Sequence, residues 1–366
     1  MSNFKIEETK HVYGAKIKVI GVGGGGGNMI NHMIKEGISG VDLIAANTDA
    51  QALENSRAAV KIQIGEKLTE GLGAGMRPEI GKQAALENYE EIKSALEHAD
   101  LVFIAAGLGG GTGTGAAPIV AQAAKEIGAL TVSVVTKPFM VEGKKRAKYA
   151  EEGLIELEKE SDSIVVIPNE KLLSIIDKNF GIAESLKMVD SILSRAVNGM
   201  SDIILSPGII NVDFADVKTV MSHRGMALLG VGESTGNDAA NEAVKNAVQS
   251  PLLDDVSING ALGVLVHFYS HPKDCSLSKI NEAMSIVYAA ADESADIIFG
   301  VTSDENVKDN FVRVTIIATG FENKLANVIA PTSVPSLPRP LMRRTSGGDT
   351  VEEFLDTPTI FRRGED

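Results

Sequence analysis

Residues 105–118 read Ala105-Ala106-Gly107-Leu108-Gly109-Gly110-Gly111-Thr112-Gly113-Thr114-Gly115-Ala116-Ala117-Pro118, between the apolar segments 101–105 and 119–127. The first segment reads as a buried strand and the second as a helix, so the glycine-threonine stretch is a strand-to-helix connection. A tight turn needs one or two glycines. The five between 109 and 115 remove Cβ atoms that would hold a phosphate away from the backbone. Converging N–H groups and the positive end of the following helix make such a loop an anion cradle. Thr112 and Thr114 add hydroxyl donors, so the loop can grip phosphate without a lysine.

Apolar runs at 16–22, 41–46, 131–135 and 163–167 also read as buried strands, with helical stretches between them. This alternation predicts an α/β domain with a Rossmann-like, mostly parallel sheet. Ligands bind such sheets outside the carboxyl ends of the strands. Glycine-rich and polar segments fall at those ends: 21–27, with five consecutive glycines, after the first strand, Asn47, Thr48 and Asp49 after the second, then 71–75 before a helix near Pro78. A helix over 182–205 carries apolar residues at 189, 192, 193, 196, 197, 200, 203 and 204. At 1.5 Å per residue it spans about 36 Å, enough to link two domains. Beyond it, strands at 225–232, 263–270, 296–302 and 311–319, with helices near 238–249 and 277–291, predict a smaller α/β domain with a mixed sheet.

The 366 residues, 44% hydrophobic and only 4% aromatic, suffice for a large aliphatic core, two domains and a tail. The sequence has no apolar run long enough to span a bilayer and begins with a polar segment, so a soluble, intracellular protein with neither membrane insertion nor signal peptide is expected. Cys275 is the only cysteine, which excludes an internal disulfide and a cysteine-based metal cluster. A net charge of −14 argues against nucleic-acid partners.

Gly21-x-Gly23-x-x-Gly26 matches the dinucleotide fingerprint, with Asp42 and Asp49 near the distance of a ribose-binding acid. An NAD-dependent oxidoreductase would use that loop, yet leaves the second, richer glycine loop about 85 residues later unexplained. No G-x-x-x-x-G-K-[ST] sequence exists, so the P-loop is excluded. Asp213 and Asp216, three residues apart at a helix start, share one face and can position or polarise a water; Asp213 as a simple N-cap is the alternative. Glu142 and Arg146, four apart, can pair on one helix face, and Asn169 after a strand can serve as a cap.

The 109–115 stretch resembles the signature of the tubulin and FtsZ superfamily. Segments 23–28, 47–51, 71–81, 136–146, 167–169 and 211–217 are similar to its FtsZ branch in order and spacing across about 14–320. The resemblance implies a GTPase that polymerises head to tail and forms the cytokinetic ring at the midcell division site in the cytoplasm. It implies that GTP or GDP is held by Gly24, Gly25, Gly26, Asn28, Asn47, Asp49, Ala74, Gly75, Gly107, the 109–115 loop and Pro138. Glu142 and Arg146 approach the ribose and phosphates, Asn169 the guanine or ribose, and Asp190 accepts from the guanine N1 and N2 hydrogens. Leu186 departs from the phenylalanine that many relatives stack on the base.

By the same resemblance Asn211, Asp213 and Asp216 enter the pocket of the next subunit and complete catalysis there. Mg²⁺ is expected on the nucleotide phosphates, since no dedicated metal cage is visible. The implied organisation is a flexible extension 1–14, a GTP-binding domain 15–181, a connecting helix 182–205, a C-terminal domain 206–320 with the catalytic loop, a Pro- and Ser-bearing linker 321–350 and an adaptor-binding peptide 351–366. Implied partners are further copies of the chain, membrane-anchoring division adaptors and division inhibitors. A nucleotide-binding filament protein without hydrolysis is the rival from another class, separated by a phosphate-release assay.

Overall fold

A computed structural model of the chain describes residues 14–172, 181–205, 210, 212–223, 225–250, 253, 258, 260–274 and 276–321. Asn211, Cys275 and the tail peptide 351–366 lie outside them. Six strands, β1 (Ile17–Val22), β2 (Val41–Asn47), β3 (Val60–Gln63), β4 (Leu101–Gly107), β5 (Leu130–Lys137) and β6 (Ser163–Pro168), pair in parallel in the order β3-β2-β1-β4-β5-β6. Their apolar runs have the composition of strands covered on both faces. Along β4, Leu101, Phe103 and Ala105 join one core cluster while Val102, Ile104 and Ala106 join the other, as the two-residue period of a strand requires. The first cluster includes residues of helices Gly23–Glu36 and Ile182–Leu205; the second includes residues of helices Pro78–Glu87, Thr112–Glu126 and Lys144–Glu160.

The sheet continues into β7 (Gly225–Thr235), whose first residues pair in parallel with β6 over three positions, Ser163↔Gly225 to Val165↔Ala227. Beyond that short seam come β8 (Gly263–Ser270), β9 (Asp296–Ser303) and β10 (Phe311–Thr319). β10 lies antiparallel between β7 and β8, and β9 runs parallel to β8, giving one ten-stranded sheet with a mixed C-terminal part. Helices Ala239–Val248 and Leu277–Ala290 contribute to the core on one face of that part. The long helix runs over Ile182–Leu205 as its apolar period predicts, with Val189, Leu193, Ala196, Val197, Met200 and Ile203 buried.

Two boundaries differ from expectation. The helix predicted from residue 119 begins at Thr112, and the glycine run after β1, expected as a loop, is the start of helix Gly23–Glu36. Glycine costs a helix about 1 kcal/mol relative to alanine, but here it lets these first turns lie against neighbouring backbone. A Cβ on Gly115 would overlap the Pro78 carbonyl, and one on Gly26 the Ala105 carbonyl. Packing overrides propensity.

Candidate nucleotide site

Five parallel strands end at one edge of the sheet, and each hands over to a predicted site segment: Val22 to Gly23, Asn47 to Thr48, Gly107 to Leu108, Lys137 to Pro138 and Pro168 to Asn169. Strand order reverses between β1 and β4, the place where such sheets bind ligands. Helices Gly23–Glu36 and Thr112–Glu126 start there side by side. Neither has a side-chain cap or an acidic residue in its first turn. Their free N–H groups and positive dipole ends are left for an external anion. The two starts nearly touch, since a Cβ on Gly23 would lie 2.8 Å from the Gly113 nitrogen, and the first also lies against the end of β4, where a Cβ on Gly25 would lie 3.1 Å from the Gly107 nitrogen.

The glycines divide by what surrounds them. A Cβ on Gly24, Gly27 or Gly110 would meet nothing within 4 Å, so these positions border open space. Gly111 packs against Ala74, Gly113 against the Gly107 carbonyl and Gly115 against Pro78. Gly109, at φ 94°, adopts a backbone that side chains disfavour, and the Arg146 carbonyl and Pro138 ring close over it. Only Gly110 of the five in the 109–115 loop is open on its Cβ side. The threonines do more than donate. Buried Thr114 accepts the Gly109 N–H at 2.8 Å and so pins the loop, while Thr112 shares a 2.7 Å hydrogen bond with Thr48. Thr48 and Gly27, which the sequence places in the loops at these strand ends, join the residues selected as contacts.

The remaining residues tie the loops together. Asn28, Gly75 and the first-turn glycines Gly24 and Gly25 are exposed, whereas Ala74 is buried under Gly111. Buried Asn47 accepts the Asp49 N–H at 3.3 Å; Asp49 caps the next helix by accepting from Ala52 N–H at 3.0 Å, and the Thr48 carbonyl accepts from Gly73 N–H at 3.3 Å. Arg146 pairs with Glu142, whose other oxygen accepts the Phe139 N–H at 2.9 Å. Arg146 also reaches the Met76 sulfur at 3.9 Å, joining the 138–146 and 71–77 segments.

Two of the predicted site residues lack partners among the described residues. Asn169, the first residue of helix Asn169–Leu172, is buried with its Oδ1 unsatisfied. Asp190 is half-buried with no hydrogen-bond partner among the described residues, and burial pushes its carboxyl up to about 6. The long helix runs in the same direction as Gly23–Glu36, because Ser194 bonds Glu36 at 3.1 Å and Leu205 meets the chain further on, at Gly40. Asp190, one turn before Ser194, is therefore displaced toward the loop edge. An unsatisfied buried group costs about 1–3 kcal/mol, which a ligand offering matching groups recovers. A carboxylate matches the paired N1–H and N2–H of guanine, and an amide oxygen matches a further base or ribose donor. Leu186 belongs to the same helix, but its side chain is outside the described set.

Asp213 and Asp216 are not brought to these loops. Both are exposed, and Asp213 occupies the N-cap position of helix Phe214–Met221 without making a side-chain cap bond. Among the described residues neither has an ion pair. The strand that follows begins with Gly225 opposite Ser163, the first residue of β6. The acids thus lie toward the amino edge of the parallel sheet, a 24-residue helix away from the loops.

Facing helix starts at a strand-order reversal are the arrangement of a nucleotide-binding α/β protein. Residues 16–177 match the Tubulin/FtsZ family, GTPase domain, and residues 225–322 match the FtsZ family, C-terminal domain. The cell division protein FtsZ of Helicobacter pylori (strain J99) is 48% identical, over 96% of this chain and 93% of its own length. That of Pseudomonas aeruginosa is 46% identical, over 96% and 97%. An FtsZ dimer structure from M. jannaschii is 51% identical with a TM-score of 0.80, covering 84% of this chain and 89% of that one. The chain belongs to the FtsZ family of tubulin-like GTPases.

Proposed function

We propose that this protein is a GTP-dependent cytoskeletal polymer of cell division, which builds the cytokinetic ring at the division site and hydrolyses GTP where one subunit meets the next. The carrying observation is the separation of Asp213 and Asp216 from the glycine loops of their own chain. Loops whose own carboxylates, Asp49 and Glu142, are already engaged by the Ala52 N–H and by Arg146, and exposed acids with no local partner, are complementary halves. Head-to-tail stacking unites them, and because that contact does not close on itself it propagates as a filament.

The free N–H groups near Gly24 and Gly110 grip the phosphates, Asn169 and Asp190 read guanine, and the Glu142–Arg146 pair holds the 138–146 segment against the loop. Among the described residues no three His, Cys, Asp or Glu side chains are grouped to hold a metal; Mg²⁺ would enter with the nucleotide. When bound it would supply charge neutralisation for phosphoryl transfer. Asp213 and Asp216 of the adjacent subunit orient and polarise the attacking water, with Asn211 as the third member of the set. Loss of the γ-phosphate then removes charge and contacts at the junction, so GDP subunits part more readily.

In this scheme 15–181 binds nucleotide, 182–205 connects, 206–320 supplies the acids, and 351–366 docks to membrane-anchoring adaptors, with division inhibitors as further partners. Phosphate release measured across protein concentrations tests it: activity per molecule rises as subunits associate. Equal activity per molecule in a dilute, monomeric sample overturns the shared pocket, and absence of release at any concentration favours a filament protein without hydrolysis.

A further inference from the structure

Behind the phosphate loop, helices Pro78–Glu87, Thr112–Glu126 and Lys144–Glu160 border a cavity of about 150 Å³, a size that takes a benzene-like ring. Pro78, Pro118 and Tyr149 supply apolar wall, and Glu79, Glu152 and Glu156 line it against one cation, Lys82. Two close approaches shape it: Gly115 lies on the Pro78 carbonyl, and Gly153 lies under the Thr114 methyl group. Glu152 and Glu156 pair along their own helix with Lys148 at 3.6 Å and Lys159 at 2.6 Å, whereas Glu79 has no partner among the described residues. The Tyr149 ring already has the Lys145 ammonium 5.5 Å from its centroid, an electrostatic preference of an aromatic face for cations.

We propose that this cavity binds small arylalkylammonium cations, with the apolar body between Pro78, Pro118 and Tyr149 and the ammonium against Glu79. The occupant is coupled to the phosphate loop. Thr114 lines the cavity and its hydroxyl holds the Gly109 N–H at 2.8 Å, so a ligand that shifts Thr114 shifts the loop. Coupling between two sites is reciprocal. This coupling rests on the GTP reading of the loop; the cation binding itself does not.

The test titrates phenethylammonium into the nucleotide-free full chain and follows backbone amide shifts, with uncharged 2-phenylethanol as the matched control. The expected result is saturable shifts at Gly115, Gly153 and Gly109, with the alcohol and the Glu79→Gln variant each binding about threefold to fivefold more weakly. Tyr149→Ala loses most of the binding while keeping its melting temperature within a few degrees. Equal affinity for amine and alcohol, or shifts that cluster elsewhere, overturns the proposal. Repeating the titration with GDP present tests the coupling: a change of twofold or more in amine affinity is expected, and an unchanged value refutes it. Failure of GDP to bind in calorimetry would refute the GTP reading while leaving the amine arm intact.

Discussion

In the proposed guanine contact, Asp190 serves binding at the expense of the empty fold. Burial holds its carboxyl at about 6 against an ordinary 3.8, so the folded protein binds more protons than the unfolded chain between those values. Its contribution to stability is therefore fully present below pH 4 and is lost as pH rises through 6. Guanine recognition has the opposite requirement, an ionised acceptor. GTP affinity should fall as pH drops from 7 to 5, while the stability gap between Asp190→Asn and wild type should widen in the variant's favour over the reverse range. Calorimetric titration and urea unfolding read the two effects separately. Asp190→Ala should weaken GTP about tenfold to a hundredfold, the worth of hydrogen bonds to a charged group, and should narrow the preference for GTP over ATP.

At the scale of elements, the glycine-rich helix starts separate packing from binding. Gly115→Ala forces a Cβ into the Pro78 carbonyl and should cost about 3 kcal/mol, a drop of about 5–10 °C in melting temperature. Gly24→Ala has open space around it, so it should leave stability unchanged or raise it by about 0.5–1 kcal/mol while weakening GTP. Thermal melts with and without nucleotide distinguish them. The parallel strands were legible in the sequence because buried, two-sided strands leave uninterrupted apolar runs. β3 was not, being four residues long with Val60 and Lys61 exposed. The two helix starts read as loops because a glycine that admits a ligand and one that admits a neighbouring helix look identical until residues 115 and 78 are known to touch. Asp190 was legible only through resemblance, since its desolvation comes from distant packing.

At the scale of the whole molecule, the placement of the acids makes complementation possible. Asp213→Ala should bind GTP normally and lose turnover by about a hundredfold or more, the contribution typical of a group positioning a water. Mixing it with a Gly110→Leu variant, whose loop is blocked but whose acids are intact, should release phosphate faster than the sum of the two alone. Additive rates would show that each chain must serve itself. The opposed edges also set a direction. In the proposed stack the two extremities are unlike: one exposes a loaded cradle that no carboxylate reaches, and the other exposes carboxylates with nothing to act upon. The outermost nucleotide is then the last to be cleaved and the first to exchange, so the polymer carries its own clock at one tip.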